Sequence, residues 1–143
     1  MQVRPLLLAL IFISGSVCLI SCGKAADTTP KITGSWDEAS IHEIDQTDHV
    51  TTSDNLQHVP PGFNLLQINT DGTYTLYPQG ASSTSGTYTY SGGRLALISA
   101  SHPAGDWYDV DSLEPYKMSI RKVDTVSSGS PLMTRDITLS YTK

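Results

Sequence analysis

Three groups of residues in this 143-residue chain have types and spacings that could support chemistry. Glu38 and His42 fall in phase with each other on an extended segment, a carboxylate and an imidazole that together could hold a polar ligand. Between 45 and 62 lie His49 and His58 with Asp45, Asp48 and Asp54, ligand types for a metal but without the tight spacing of a zinc site; a solvated polar loop explains them as well, and no metal is expected. Asp109 and Asp111 share one strand face, as paired carboxylates do in glycosidases, and as charged residues on any wet face do. There is no G-x-S-x-G stretch and no ordered Ser/His/Asp set, and no glycine-rich loop leads into a helix to cradle a phosphate. No enzymatic activity and no cofactor are expected.

The stretch before these residues gives the chain an address. Residues 6–20 are an apolar run of 15 residues broken by Ser14, Gly15 and Ser16, short of the ~20 a membrane-spanning helix needs. With Arg4 before it and Ser21 after it, the run has the parts of a secretory signal peptide, residues 1–21. Leu19-Ile20-Ser21-Cys22 resembles the lipobox of bacterial lipoproteins. That resemblance implies cleavage before Cys22, acylation of its thiol and new amino group, and a stable membrane anchor, since each buried CH₂ contributes about 0.8 kcal/mol. Gly23, where some inner-membrane lipoproteins carry Asp, points to the outer membrane of a Gram-negative envelope. Cys18 would leave with the signal, so the remaining cysteine carries lipid and supplies neither a disulfide nor a thiolate.

Removal of residues 1–21 leaves 8 basic and 14 acidic side chains, a net charge of −6. Such a surface argues against nucleic-acid partners. Residues 22–31, small and polar with one proline, read as a flexible tether, and 32–143 as one domain.

That domain shows no helical periodicity and frequent alternation rich in Thr, Tyr, Val and Ile. Eight strands are predicted: 34–44, 63–69, 73–78, 85–91, 94–100, 106–112, 115–123 and 135–142, with 45–62 a loop. Asp71-Gly72 and Gly92-Gly93 mark hairpin turns. Connections this short force antiparallel neighbours, and an eight-stranded up-and-down meander can close into a barrel. The fold class is therefore all-β, an antiparallel meander barrel. Alternation aims Leu66 and Ile68, Tyr74 and Leu76, Tyr88 and Tyr90, Leu95 and Leu97, Tyr108 and Val110, the set Tyr116, Met118 and Ile120, and the set Ile137, Leu139 and Tyr141 inward. It aims Trp107 outward.

Gly34-Ser35-Trp36 opening the first strand, Asp71-Gly72-Thr73-Tyr74, and Gly86-Thr87-Tyr88 followed by Arg94-Leu95-Ala96-Leu97 resemble the lipocalin-like domains of small bacterial lipoproteins. The lipocalin Thr-Asp-Tyr signature is replaced by Ser112-Leu113-Glu114-Pro115-Tyr116. The resemblance implies that Gly34 and Trp36 close the barrel base, with an arginine on a late strand, Arg121 or Arg135, stacked over the tryptophan. It also implies a small apolar or amphipathic guest, with Glu38, His42, Tyr74, Tyr88, Tyr90 and Tyr108 as candidate contacts. The alternative is a filled barrel that meets another envelope protein or a glycan.

Strand one leaves a choice open. If Trp36 points inward, Glu38, Ser40 and His42 follow it in regular alternation, and buried polar groups cost free energy unless partnered. Either Glu38 and His42 bind a polar ligand in the mouth, or a bulge after Trp36 turns Ile41 inward and the polar residues out.

Overall fold

Tight turns between alternating segments dictate the architecture. The computed structural model describes residues 30–127 and 130–143; the residues read as a signal peptide (1–21), Cys22, read as the lipidation site, and most of 22–31, read as a tether, lie outside them. Nine strands follow in order: β1 Gly34–Thr47, β2 Val50–His58, β3 Asn64–Ile68, β4 Thr73–Pro78, β5 Thr84–Ser91, β6 Arg94–Ser99, β7 Asp106–Leu113, β8 Lys117–Ser127 and β9 Met133–Thr142. Every pairing is antiparallel, and β1 pairs with β9 to close the ring β1-β3-β4-β5-β6-β7-β8-β9. The result is the expected eight-stranded up-and-down barrel, with β2 as an extra strand outside the ring. Among the described residues no helix is long and apolar enough to cross a membrane.

The turn chemistry is local. In the β3–β4 turn the Asp71 carboxylate accepts hydrogen bonds from the Thr73 amide at 3.0 Å and hydroxyl at 2.6 Å, and these bonds hold its pKa below the ordinary carboxylate value.

The core fills from alternate positions of every barrel strand. Trp36, Leu66, Ile68, Leu95, Met118 and Ile120 are fully buried, joined by Ile32, Tyr74, Leu97 and Tyr141. Leu76, Tyr88, Tyr108, Val110, Leu113 and Leu139 pack against them. At about 1.5–3 kcal/mol per buried large side chain, this cluster offsets chain entropy, with no cysteine among the described residues.

Three expectations need correction. Residues 50–58 form a strand, β2, although they were expected in a loop. It pairs with the distal half of β1, from Ser40↔His58 to Thr47↔Val50. The connecting residues Asp48 and His49 both take positive φ, 49° and 65°, as a two-residue hairpin turn of the type I′ kind requires. Asp48 also ties this tip to β9, donating from its amide to the Leu132 carbonyl at 2.8 Å and accepting from the Leu132 amide at 2.9 Å. Secondly, Tyr90 and Tyr116, expected inside, are 39% and 67% exposed at the strand ends. Thirdly, β1 does carry a bulge, but it falls at Ala39: Glu38 pairs with Tyr141 and Ser40 with Ser140. Glu38 therefore stays inward with Trp36. Beyond the bulge Ile41 shares a face with Leu139, and His42 lies on the opposite, outer face beside Thr138.

Strands β1, β8 and β9, at 14, 11 and 10 residues, outrun the 5–8 residues of β3–β7. Their ends, with β2, project past one rim of the barrel. That rim is the mouth. The other end, where β1 begins and β9 finishes, is the base.

Candidate functional site

The base is closed by three residues. The Trp36 indole N–H donates to the Ile32 carbonyl at 2.7 Å, and the Lys143 ammonium sits 3.9 Å from the centroid of the Trp36 ring. That ammonium also donates to the carbonyls of Lys31 at 3.2 Å and Thr33 at 3.0 Å. Gly34, at φ 138°, lies directly beneath: a Cβ there would come within 2.7 Å of the Lys143 Cε. The cation over the tryptophan is thus Lys143, and neither expected arginine takes the place. Arg121 lies on the outer face, its guanidinium forked onto Asp136 through Nε and Nη2. Arg135 stands at the mouth, bonded to Glu43 at 2.9 Å and Asp45 at 2.8 Å.

Above the base, Glu38 is buried with 6% of its surface exposed. One carboxylate oxygen accepts from the Asn64 amide at 3.1 Å; the other has no partner. Burial raises its pKa above the ordinary value, and the Asn64 hydrogen bond opposes this more weakly. Burial first, and then the neighbouring Glu38, push the Tyr141 phenol far above its usual range. His42 is separated from Glu38 by the barrel wall and bonds Asp54 of β2 at 2.8 Å. The pair expected to hold one polar ligand is therefore split.

The mouth contains a cleft of about 160 Å³ between β4, β5, β6 and β7. Tyr74, Leu76, Leu97 and Tyr108 form its apolar wall, and Thr84, Ser99, Ser101, His102 and Asp106 its polar rim. Gly86 sets the wall: β5 runs so close to β6 that a Cβ at this position would stand 1.9 Å from the Ile98 carbonyl oxygen and 2.9 Å from the Tyr74 ring. The 100–105 turn shapes the rim. The amides of Ser99 and His102 each donate to the other's carbonyl, at 3.3 and 3.2 Å, and the Ser99 hydroxyl lies 3.0 Å from that of Ser101. Burial raises the pKa of both Tyr74 and Tyr108, with the Asp106 charge adding to the effect at each.

Ser101, His102 and Asp106 invite comparison with a hydrolytic triad, and the geometry refuses it. Ser101 Oγ is 3.2 Å and Asp106 Oδ2 3.7 Å from the imidazole, but both face the same nitrogen, Nδ1. A triad needs the hydroxyl and the carboxylate on opposite ring nitrogens. The rim can accept and donate hydrogen bonds and favour a positive head group. It does not assemble a proton relay.

Past the cleft, the inner face of the projecting strands is ionic. Lys122 bridges Asp106 at 3.2 Å and Asp124 at 3.4 Å, while Arg135 holds Glu43 and Asp45. Four carboxylates surround two cations, so the mouth keeps a negative excess. Among the described residues no group of three or more His, Cys, Asp or Glu is arranged to hold a metal.

Of the expected ligand contacts, the cleft brings together Tyr74 and Tyr108. Tyr88 spends its hydroxyl on the Asn69 carbonyl at 3.0 Å, near the base, and Tyr90, beside the β5–β6 turn, stands exposed at the base end as well. Asp109 faces outward and pairs with Arg94 at 3.2 Å; Asp111 is exposed. Residues 99–106, read from the sequence as a strand end and a plain loop, supply the polar half of the site. Compared with protein-family models, with curated proteins and with solved structures, the chain matches none of them; the functional reading stands on the barrel and its mouth.

Proposed function

We propose that this chain is a lipid-tethered module of the bacterial cell envelope, of lipocalin-like build and without enzymatic activity, that binds a small amphipathic molecule at the barrel mouth. The tether is Cys22, after the lipobox-like Leu19-Ile20-Ser21, in the outer membrane. The observation that carries the binding reading is the cleft itself: two tyrosines and two leucines on one side, a carboxylate, an imidazole and hydroxyls on the other. A volume of about 160 Å³ is close to the ~150 Å³ of an engineered cavity that takes benzene. The guest is therefore one ring with a donor or cationic head against Asp106. A long apolar guest is disfavoured, because Trp36, Leu66, Met118 and Ile120 fill the barrel below.

Native mass spectrometry of the full chain, extracted from its envelope in mild detergent, tests this. A co-purifying small molecule that is lost in Tyr108→Ala supports the reading; a bare protein mass in repeated preparations, with no gain in melting temperature from ring amines or phenols, rejects it. A second reading, a filled barrel that meets the envelope with its outer wall, is favoured by the packed interior and by the exposed Trp107.

A further inference from the structure

Strands β7 and β8 part company within the barrel wall. Their pairing runs from Leu113↔Met118 to Asp109↔Arg121 and goes no further, although β7 extends back to Asp106 and β8 on to Ser127. The split opens a groove of about 340 Å³, within the ~300–1,000 Å³ of small-molecule sites. Asp106 lines both this groove and the mouth cleft, but the groove runs through the split in the wall: Lys122 and Asp124 line it with Asp106 from the inner face, and Arg94, Trp107, Asp109 and Arg121 from the outer face.

Three features define its chemistry. The groove is lined by three cations, Arg94, Arg121 and Lys122, and three carboxylates, Asp106, Asp109 and Asp124, so its lining carries no net formal charge. Each charge is already held: Arg94 by Asp109 at 3.2 Å, Lys122 by Asp106 at 3.2 Å and Asp124 at 3.4 Å, and Arg121 by Asp136. Side chains paired in this way retain free lone pairs and N–H groups. Finally, Trp107, which lines the groove, is 47% exposed. Its indole N–H is satisfied by the Ala104 carbonyl at 3.2 Å and Arg94 lies over one face, 5.2 Å from the ring centroid, so the polar edge is spent and the face away from Arg94 is the apolar surface on offer.

We infer that this groove binds a saccharide. A pyranose presents a face of C–H groups, which stacks on an aromatic ring, and an equator of neighbouring hydroxyls, each both donor and acceptor. Paired carboxylate and cation side chains around an exposed tryptophan match both. A neutral polyol adds hydrogen bonds to pairs that stay intact. The inference gives a ligand to the reading in which the outer wall meets the envelope, rests on that reading, and is independent of the mouth cleft.

The two tryptophans make the test direct. Trp36 is wholly buried and Trp107 half exposed, so iodide quenching of fluorescence reports Trp107. The full chain, in a detergent without a sugar head group, is titrated with glucose, N-acetylglucosamine and their disaccharides, and the same sugars are followed by calorimetry. Shielding of Trp107 by at least one of them is expected, with calorimetric affinity falling about tenfold in Trp107→Ala, the loss of one aromatic contact, and likewise in Asp109→Asn, while Tyr77→Phe, an exposed aromatic outside the groove, leaves it unchanged. Absence of shielding by every sugar, or binding heat that survives Trp107→Ala in a protein with normal circular dichroism, overturns the inference. Shielding by a purified envelope protein but by no sugar also overturns it, and leaves the outer-wall reading standing.

Discussion

Lys143 holds its ammonium 3.9 Å from the centroid of the Trp36 ring, joining the last described residue of the chain to the first barrel strand. A cation at this distance from an indole face contributes about 0.5–2 kcal/mol, and here it also bonds two carbonyls. Lys143→Met, which keeps most of the stem and removes the charge, should lower stability by about 1–2 kcal/mol. Trp36→Ala should lower it by about 3–5 kcal/mol. Urea denaturation followed by circular dichroism measures both, and equal losses in the two variants would contradict this division of roles.

Glu38 contributes a pH dependence of definite sign. Burial raises its pKa above the ordinary 4.5, so between the unfolded and folded values the native state binds more protons than the unfolded chain. Its effect is most favourable below about pH 4.5, and stability is lost as pH rises through the raised folded value. Glu38→Gln keeps an oxygen for Asn64 and removes the charge. By removing the buried charge it should stabilise the protein at pH 7, although the new amide nitrogen takes over the unpartnered position, and it should flatten the loss above pH 4.5. Thermal melts from pH 4 to 8 decide; a variant less stable than the parent at pH 7 would show that the charge is partnered in solution.

Gly86 is the tightest backbone contact of the cleft wall. A methyl group there meets the Ile98 carbonyl oxygen at 1.9 Å, and a backbone oxygen in a paired strand cannot swing aside. Gly86→Ala should cost about 1–3 kcal/mol, with the largest chemical-shift changes at Tyr74, Ile98 and Ser99. A neutral substitution would mean that β5 and β6 stand further apart than described.

Arg135 holds Glu43 and Asp45 together at the mouth. Arg135→Gln leaves two like-charged carboxylates side by side on one face of β1. Amide hydrogen exchange should speed up between Glu43 and Val50 and stay unchanged at Leu95, Met118 and Ile120. Uniform acceleration across the barrel would instead make Arg135 a support of the whole fold.

Much of this fold was legible because one rule governs it: a closed meander with one wet and one dry face writes its period into the sequence. Leu66, Ile68, Leu95, Leu97, Met118 and Ile120 obey that rule and lie inside. Strand β2 broke it. All nine of its residues are exposed, so no alternation marks it, and its turn uses Asp48-His49 where Asn-Gly or Asp-Gly would have signalled a hairpin. The bulge could be anticipated from the polar residues after Trp36 but not placed, since Glu38 tolerates burial through Asn64, 26 positions away in sequence. The cleft rim was unreadable for a similar reason: Ser99, His102 and Asp106 acquire a common purpose only when the 100–105 turn folds back over Tyr108.

Isotope-labelled full chain in detergent micelles, titrated with benzylamine as a one-ring cationic probe, separates a ligand-taking mouth from a sealed one. The binding reading predicts saturable shifts concentrated at Tyr74, Leu97, Ser99, His102 and Tyr108, weakened in Asp106→Asn. Shifts that fail to saturate, or that spread over the outer face while those five residues stay still, would contradict it.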